Sequence, residues 1–197
     1  GQPIERVDRS EKAKYNKFRQ INKYLELLKT SLDILPTDRP LKIVDFGCGK
    51  AYLTFALYYY VVKILGRQAD ITGLDLKEDV IDYCNKVAQD LEYTSLEFQK
   101  GDIKDYDRTQ DVDMVIMLHA CDNATDEGIV QSLRFNAKII IAVPCCQHEF
   151  FSQIKNDSLK PMLGHGIIKE RLSALVTDSL RAQILKAVGF EVSVMEF

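Results

Sequence analysis

The sequence predicts a doubly wound α/β domain with a mostly parallel, Rossmann-like sheet, and three observations predict it. Short runs of Val, Ile, Leu and Met recur along the chain, alternating with longer stretches whose apolar residues fall at helical spacing. The fourth and fifth are near-continuous Val, Ile and Met runs of the kind that parallel strands covered on both faces need. The first three end in Gly or Asp, residues that turn a chain out of a sheet.

The chain has 197 residues, 46% of them hydrophobic, enough to build one substantial core. A helical segment, 1–35, is expected to precede the α/β domain, 36–197. Residues 1–30 carry eight Lys or Arg against four Asp or Glu. Phe18, Ile21, Leu25 and Leu28 recur at helical spacing there, so they are expected to face the core and leave the lysines outside. Such a basic arm could also touch phosphates.

Leu35-Pro36 and Arg39-Pro40 end that helix, and Leu41 to Phe46 reads as strand 1. Ala51 to Leu65, apolar on nearly every face, reads as a helix stopped by Gly66. Ile71 to Leu76 is strand 2. Val80, Ile81, Cys84, Val87, Ala88 and Leu91 mark an amphipathic helix, and Leu96 to Gln99 is strand 3. Val112 to Leu118 is strand 4, Ala124 to Arg134 a helix and Lys138 to Val143 strand 5. Phe150 to Leu172, with Pro161 and Gly164-His165-Gly166, reads as a connection or a mobile substrate cover. A long helix from Leu172 to Val188 precedes a final strand, Glu191 to Phe197.

Several classes are excluded. The formal charge of −3 is too mild for a polybasic nucleic-acid binder, and no 18-residue apolar run exists to span a membrane. Five cysteines, two adjacent, do not form the even framework of a secreted scaffold; they read as free thiols in a cytoplasmic setting. The start at Gly1-Gln2 without Met points to a piece of a longer protein.

Ligands of such sheets bind at the carboxyl ends of the strands. After strand 1 stands Asp45-Phe46-Gly47-Cys48-Gly49-Lys50-Ala51-Tyr52. A P-loop spacing is absent. A dinucleotide fingerprint needs a small residue where Tyr52 stands. An acidic strand end, a two-glycine turn and a helix suit a ligand with an ammonium and a carboxylate, and S-adenosylmethionine has both. Asp45 would face its cationic methionyl end. Gly47, Cys48 and Gly49 would bring the backbone close, and the helix N-terminus would favour its carboxylate. Asp75, with Leu76 beside it, is placed to accept from ribose hydroxyls or to cap a helix. Asp102 and Ile103 could meet the adenine amine and ring face, or form a turn, and Leu118 could enclose the other face.

The D-x-G-x-G-x-A loop, Asp75 and Gly101-Asp102 resemble the motifs of class I S-adenosylmethionine-dependent methyltransferases, over about Lys42 to the end. More narrowly, His119-Ala120-Cys121-Asp122-Asn123-Ala124-Thr125-Asp126 and Pro144-Cys145-Cys146-Gln147-His148 resemble one subgroup. It includes the methyltransferase-like domain of glutathione S-transferase C-terminal domain-containing protein. The resemblance implies the strand order 3-2-1-4-5-7-6, S-adenosylmethionine as methyl donor, and cofactor contacts at Asp45, Gly47, Gly49, Asp75 and Asp102. Strand 7 of that order is missing, so either the chain is truncated or another chain completes the sheet.

With strands 4 and 5 adjacent, His119, Cys121 and Asp122 should lie beside Cys145, Cys146 and His148. Asp122 or His119 would position the methyl acceptor and take its proton; Asp122 or Thr125 could instead cap the next helix. Cys145 after strand 5 sits where some pyrimidine C5 methyltransferases carry a nucleophile. Zinc would need Cys121, Cys145, Cys146 and His119 or His148, but adjacent cysteines without a CxxC pair are poor ligands and no metal is expected. Small buried thiols under a pocket are the plainest reading of Cys145 and Cys146. The expected acceptor is RNA or protein rather than a small molecule; the alternative is an inactive S-adenosylmethionine-binding scaffold.

Overall fold

The computed structural model describes residues 9–106, 111–118, 120–144 and 148–195, the side chains of residues 9–14, 16 and 17 aside. In chain order it contains α1 (Arg9–Leu32), β1 (Leu41–Phe46), α2 (Tyr52–Tyr58) continuing as a π-helical stretch (Tyr59–Ile64), and β2 (Ala69–Asp75). Then come α3 (Glu78–Asp90), β3 (Leu96–Lys100), a 3-10 turn (Ile103–Asp105), β4 (Met114–Met117), α4 (Asn123–Arg134) and β5 (Ile139–Ala142). Three helices close the chain: α5 (Glu149–Gln153), α6 (Lys160–Leu163) and α7 (Gly166–Ala187).

All described strand pairs are parallel, and the sheet order is β3-β2-β1-β4-β5. This is the doubly wound class that the apolar runs predict. The period of two along a strand sends its side chains to two cores. Leu41, Ile43, Ile71, Met114 and Ile116 face one layer, where Tyr24 and Leu28 of α1, Leu57 and Tyr58 of α2, Val61, and Ile81 and Cys84 of α3 cover them. Val44, Phe46, Leu74, Val115 and Met117 face the other, under Ile129 of α4.

α4 lies close on β4 because residue 128 is glycine: a Cβ there would strike the Met117 side chain. Gly73 plays the same part in β2, where a Cβ would collide with the Phe98 ring. The outer edge of β3 is partly satisfied by Asn85, whose amide donates to Phe98 O and accepts from Phe98 N, both at 2.8 Å.

The stripe of α1 differs from the expected one. Phe18 is 61% exposed, and the buried positions are Tyr24, Leu28 and Leu32, each four apart. Full burial of a leucine stabilises by roughly 1.5–3 kcal/mol, so the last two turns hold the helix to the sheet. Arg67 satisfies carbonyls at its end, donating to Leu32 O at 2.8 Å and Pro36 O at 2.5 Å.

Two further expectations are corrected. Residues 191–195 form no strand: a strand needs a ladder partner, and Val194 and Met195 are exposed. The sheet therefore ends at β5 among the described residues, beside a cleft of about 920 Å³ between α1 and the β5 edge. The stretch from 150 to 172 is largely helical, not a loop. Pro161 sits in the first turn of α6, where a missing N–H costs nothing, and Gly166 opens α7. Lys169 of α7 lies 4.6 Å over the Phe151 ring of α5. No described helix is long and apolar enough to cross a membrane.

Candidate functional site at the carboxyl ends of the strands

The turn after β1 is built on its glycines. Gly47 and Gly49 adopt positive φ, 68° and 53°, which costs a glycine little. Ala51 follows at φ 54° and ψ 24°, where a Cβ costs roughly 1–2 kcal/mol. Backbone bonds repay this strain. Gly47 N and Cys48 N both donate to Leu74 O, at 2.8 and 3.0 Å.

Asp75 has a structural task that the sequence reading did not foresee. Its Oδ2 accepts from Gly49 N at 2.9 Å and its Oδ1 from Lys77 N at 3.0 Å. The carboxylate thus fastens the glycine turn to the end of β2. Each oxygen keeps a second lone pair for another donor. Leu76 beside it is 66% exposed, and Gly47 and Gly49 are half-buried.

Cys48 is buried under this turn, its Sγ close to the position a Cβ on Gly73 would take. Burial, followed by the charges of Asp45 and Asp75, pushes its thiol far up, so it stays protonated and inert. Cys84 donates to Gly49 O at 3.6 Å from the layer below, and burial with the Asp75 charge raises it to about 11.

Asp45 is 2% exposed at the end of β1. Its Oδ2 accepts from Thr54 Oγ1 at 2.5 Å, while Oδ1 is buried without a hydrogen-bond partner. Burial raises the carboxyl to about 7, against the Thr54 hydrogen bond and with help from the Asp75 charge. An acceptor left without a partner in such a place costs about 1–3 kcal/mol. Thr54 was not expected at the site; its signal was the one aliphatic hydroxyl in a helix otherwise of apolar and aromatic residues.

Asp102 forms a turn. It accepts from Lys104 N at 3.2 Å, pairs with Lys104 Nζ at 3.3 Å, and opens the 3-10 turn that buries Ile103. Gln131 of α4 holds this turn from behind, donating to Ile103 O at 3.1 Å and Lys104 O at 2.7 Å. Leu118, 6% exposed, directly follows β4 and packs in the same layer as Ile116.

After β4 the chain turns on Asp122, at φ 49° and ψ −124°, a conformation that L residues avoid. Asp122 stands at the N-cap of α4 but its side chain makes no cap bond. Its Oδ1 accepts instead from His148 N at 2.6 Å, so the loops after β4 and β5 do meet. Thr125 does not cap α4 by the expected route either; its hydroxyl donates to Ala120 O at 2.6 Å.

Arg181 of α7 fixes this corner. It donates to Asp122 O at 3.0 Å and grips Asp126 with two bonds, at 2.6 and 3.0 Å. Burial would lower its pKa, but Asp126 and Asp178 outweigh it and the net shift is upward. Asp122, Arg181 and Phe150 line a cavity of about 180 Å³. Cys121 is half-buried nearby. His119, Cys145 and Cys146 lie outside the described residues. Among the described residues, no group of three or more His, Cys, Asp or Glu is arranged to hold a metal ion.

The structure therefore brings Asp45, Cys48, Asp75, Asp102 and Leu118 to one edge of the sheet, with Asp122 at its β4 side. Residues 16–153 match the model of a family described as a methyltransferase domain. Among solved structures, the CMeT domain of the citrinin polyketide synthase is similar at 18% identity and TM-score 0.48, covering 60% of this chain and 32% of that one. Coclaurine N-methyltransferase bound to N-methylheliamine and SAH gives 15% identity and TM-score 0.44, over 61% of this chain and 32% of that one. A SAM dependent methyltransferase from Aquifex aeolicus gives 17% and 0.40, over 58% and 62%. The chain thus spans about a third of the first two structures. A search of curated proteins finds no match. By the family model over residues 16–153, the chain belongs to the methyltransferase domain family.

Proposed function

We propose that this domain binds S-adenosylmethionine at the ends of β1 to β4 and transfers its methyl group to an acceptor held at the β4 and β5 loops. The observation that carries the reading is the buried Asp45 carboxylate with its unpartnered Oδ1, directly before the glycine turn. A cationic ammonium fits that oxygen in charge and in hydrogen-bonding capacity. Asp75 and Asp102 would offer their remaining lone pairs to the ribose and adenine, and Ile103 and Leu118 would flank the ring.

When bound, S-adenosylmethionine supplies an electrophilic methyl on sulfur. The protein's part is alignment and exclusion of water. Asp122 is held in a strained conformation by His148 and Arg181, an arrangement suited to presenting a fixed group to an acceptor. The acceptor class we favour is RNA or protein, supported by the excess of Lys and Arg in residues 1–30. The resemblance of the Asp122 and Pro144 motifs to one methyltransferase subgroup belongs to the same reading. No observation favours the inactive scaffold.

Calorimetry tests the cofactor. We expect micromolar binding of S-adenosylmethionine, roughly −8 kcal/mol. Absence of binding to the wild-type domain overturns the reading.

A further inference from the structure

The buried residues of α1 begin at Tyr24. The side chains described before Ile21, those of Tyr15, Phe18, Arg19 and Gln20, are all exposed. Tyr15 and Phe18 are each 61% exposed and, three residues apart in a helix, share one face. By sequence, residues 9–20 carry five Lys or Arg against one Glu, whereas residues 21–197 carry 20 Lys or Arg against 26 Asp or Glu. The mild charge of the whole chain is thus the average of a basic segment and an acidic body. Helical spacing assigns Phe18 to the core, and its exposure removes packing as the reason for an aromatic there.

The position of this segment bears on the site. Arg67, two residues before β2, donates to Leu32 O, so α1 ends at the amino ends of the strands. Running back from there, Ile34 to Tyr24 flank the cleft along residues 137–143 of the β5 edge. From Leu32 back to Gln20 is about 18 Å of helix, and the six residues of β1 span about 20 Å. Residues 9–20 therefore reach past the carboxyl ends of the strands, the side of the glycine turn.

An exposed aromatic pair among cations matches a ligand that presents flat bases and phosphates together. An acidic protein would use the charge and leave the rings idle. An anionic membrane would need a broader apolar face than Ala13, Tyr15 and Phe18 supply.

We propose that residues 9–20 of α1 form a docking arm for single-stranded nucleic acid, its phosphates meeting the Lys and Arg and its bases stacking on Tyr15 and Phe18. This rests on the methyl-transfer reading above for the purpose of the arm, which is to hold an RNA acceptor over the site.

The test follows the fluorescence anisotropy of labelled single-stranded RNA and DNA of one mixed sequence as the domain is added. RNA should bind, and more weakly as salt rises. Tyr15→Ala combined with Phe18→Ala should weaken binding about tenfold or more. Lys12→Gln, Lys14→Gln and Lys17→Gln together should flatten the slope of log affinity against log salt by about 2. Ala and Gln are good helix formers, so both variants should keep the wild-type thermal midpoint and affinity for S-adenosylhomocysteine. Tighter binding of RNA than of DNA points to an RNA acceptor and the reverse to DNA; either upholds the arm. Absence of binding to both, or binding unchanged in either variant, overturns the proposal. Poly-glutamate or phosphatidylserine vesicles held as tightly as RNA overturn it too, in favour of a protein or a membrane. The anisotropy readout needs no cofactor. Loss of nucleic-acid binding with S-adenosylhomocysteine binding intact sinks the arm alone, and the opposite pair of results sinks the cofactor reading alone.

Discussion

The two halves of the sheet are built differently. β1, β2 and β3 are five to seven residues long and locked by six-residue and five-residue registers, with Leu74 O and Asp75 holding the glycine turn. β4 and β5 have four residues each, β1 and β4 share a three-residue register, and the corner beyond β4 depends on one strained aspartate and one arginine. Longer backbone ladders hold the first half, helped by the Asp75 and Asn85 side chains, whereas the corner beyond β4 is held by side chains.

The largest expected effect is the pH dependence of the ligand-free domain. Asp45 is raised from 3.8 to about 7 in the folded state. Below its unfolded value it is protonated in both states. As pH rises from about 4 to about 7 the unfolded chain releases its proton first, so stability falls, by up to about 4 kcal/mol at roughly 1.4 kcal/mol per unit. Asp45→Asn should remove that decline in denaturant titrations from pH 4 to 8. If wild type and variant fall in parallel, the carboxylate is not buried as described.

Next in size, Asp45→Ala should weaken S-adenosylmethionine binding at least about a hundredfold, near 3 kcal/mol, because a buried cation would lose its counter-charge. Gly73→Ala should cost about 2–3 kcal/mol in urea unfolding, since the Phe98 ring has nowhere to move. Gly128→Ala should cost less, as the flexible Met117 side chain can turn aside.

The side-chain half can be probed more gently. Arg181→Met should lower stability by about 2 kcal/mol, discounted because Asp126 is half exposed. It should leave S-adenosylhomocysteine affinity within about twofold, as measured by calorimetry; a large loss would show that the two halves are coupled. Smallest, Asp122→Ala should be about 1 kcal/mol less stable than Asp122→Gly. Both lose the bond to His148, and only alanine keeps the strain.

The same division decides what could be read from sequence. β1 to β3 and their turns were legible because apolar runs and glycines at positive φ are local signals. Asp45 and Asp75 stood where a ligand-binding edge needs acids, but the bond from Gly49 N to Asp75 crosses 26 residues and leaves no pattern. Arg181, 55 residues beyond Asp126, was invisible for that reason. Pro161 and Gly166 looked like breaks because both residues punctuate chains, although both also open helices. The absent final strand is the complementary case: Glu191 to Met195 has strand composition, and composition cannot supply a neighbour.

Gln131 sets a limit on how such a domain can diversify. Its amide ties α4 to the two carbonyls of the turn after β3, so α4 cannot rotate about its axis without dragging that turn along. Substitutions that re-angle this helix would therefore also displace Ile103 and Lys104. Change is cheaper in the helices from Glu149 onward, which touch the Asp122 corner and leave the turn after β3 alone.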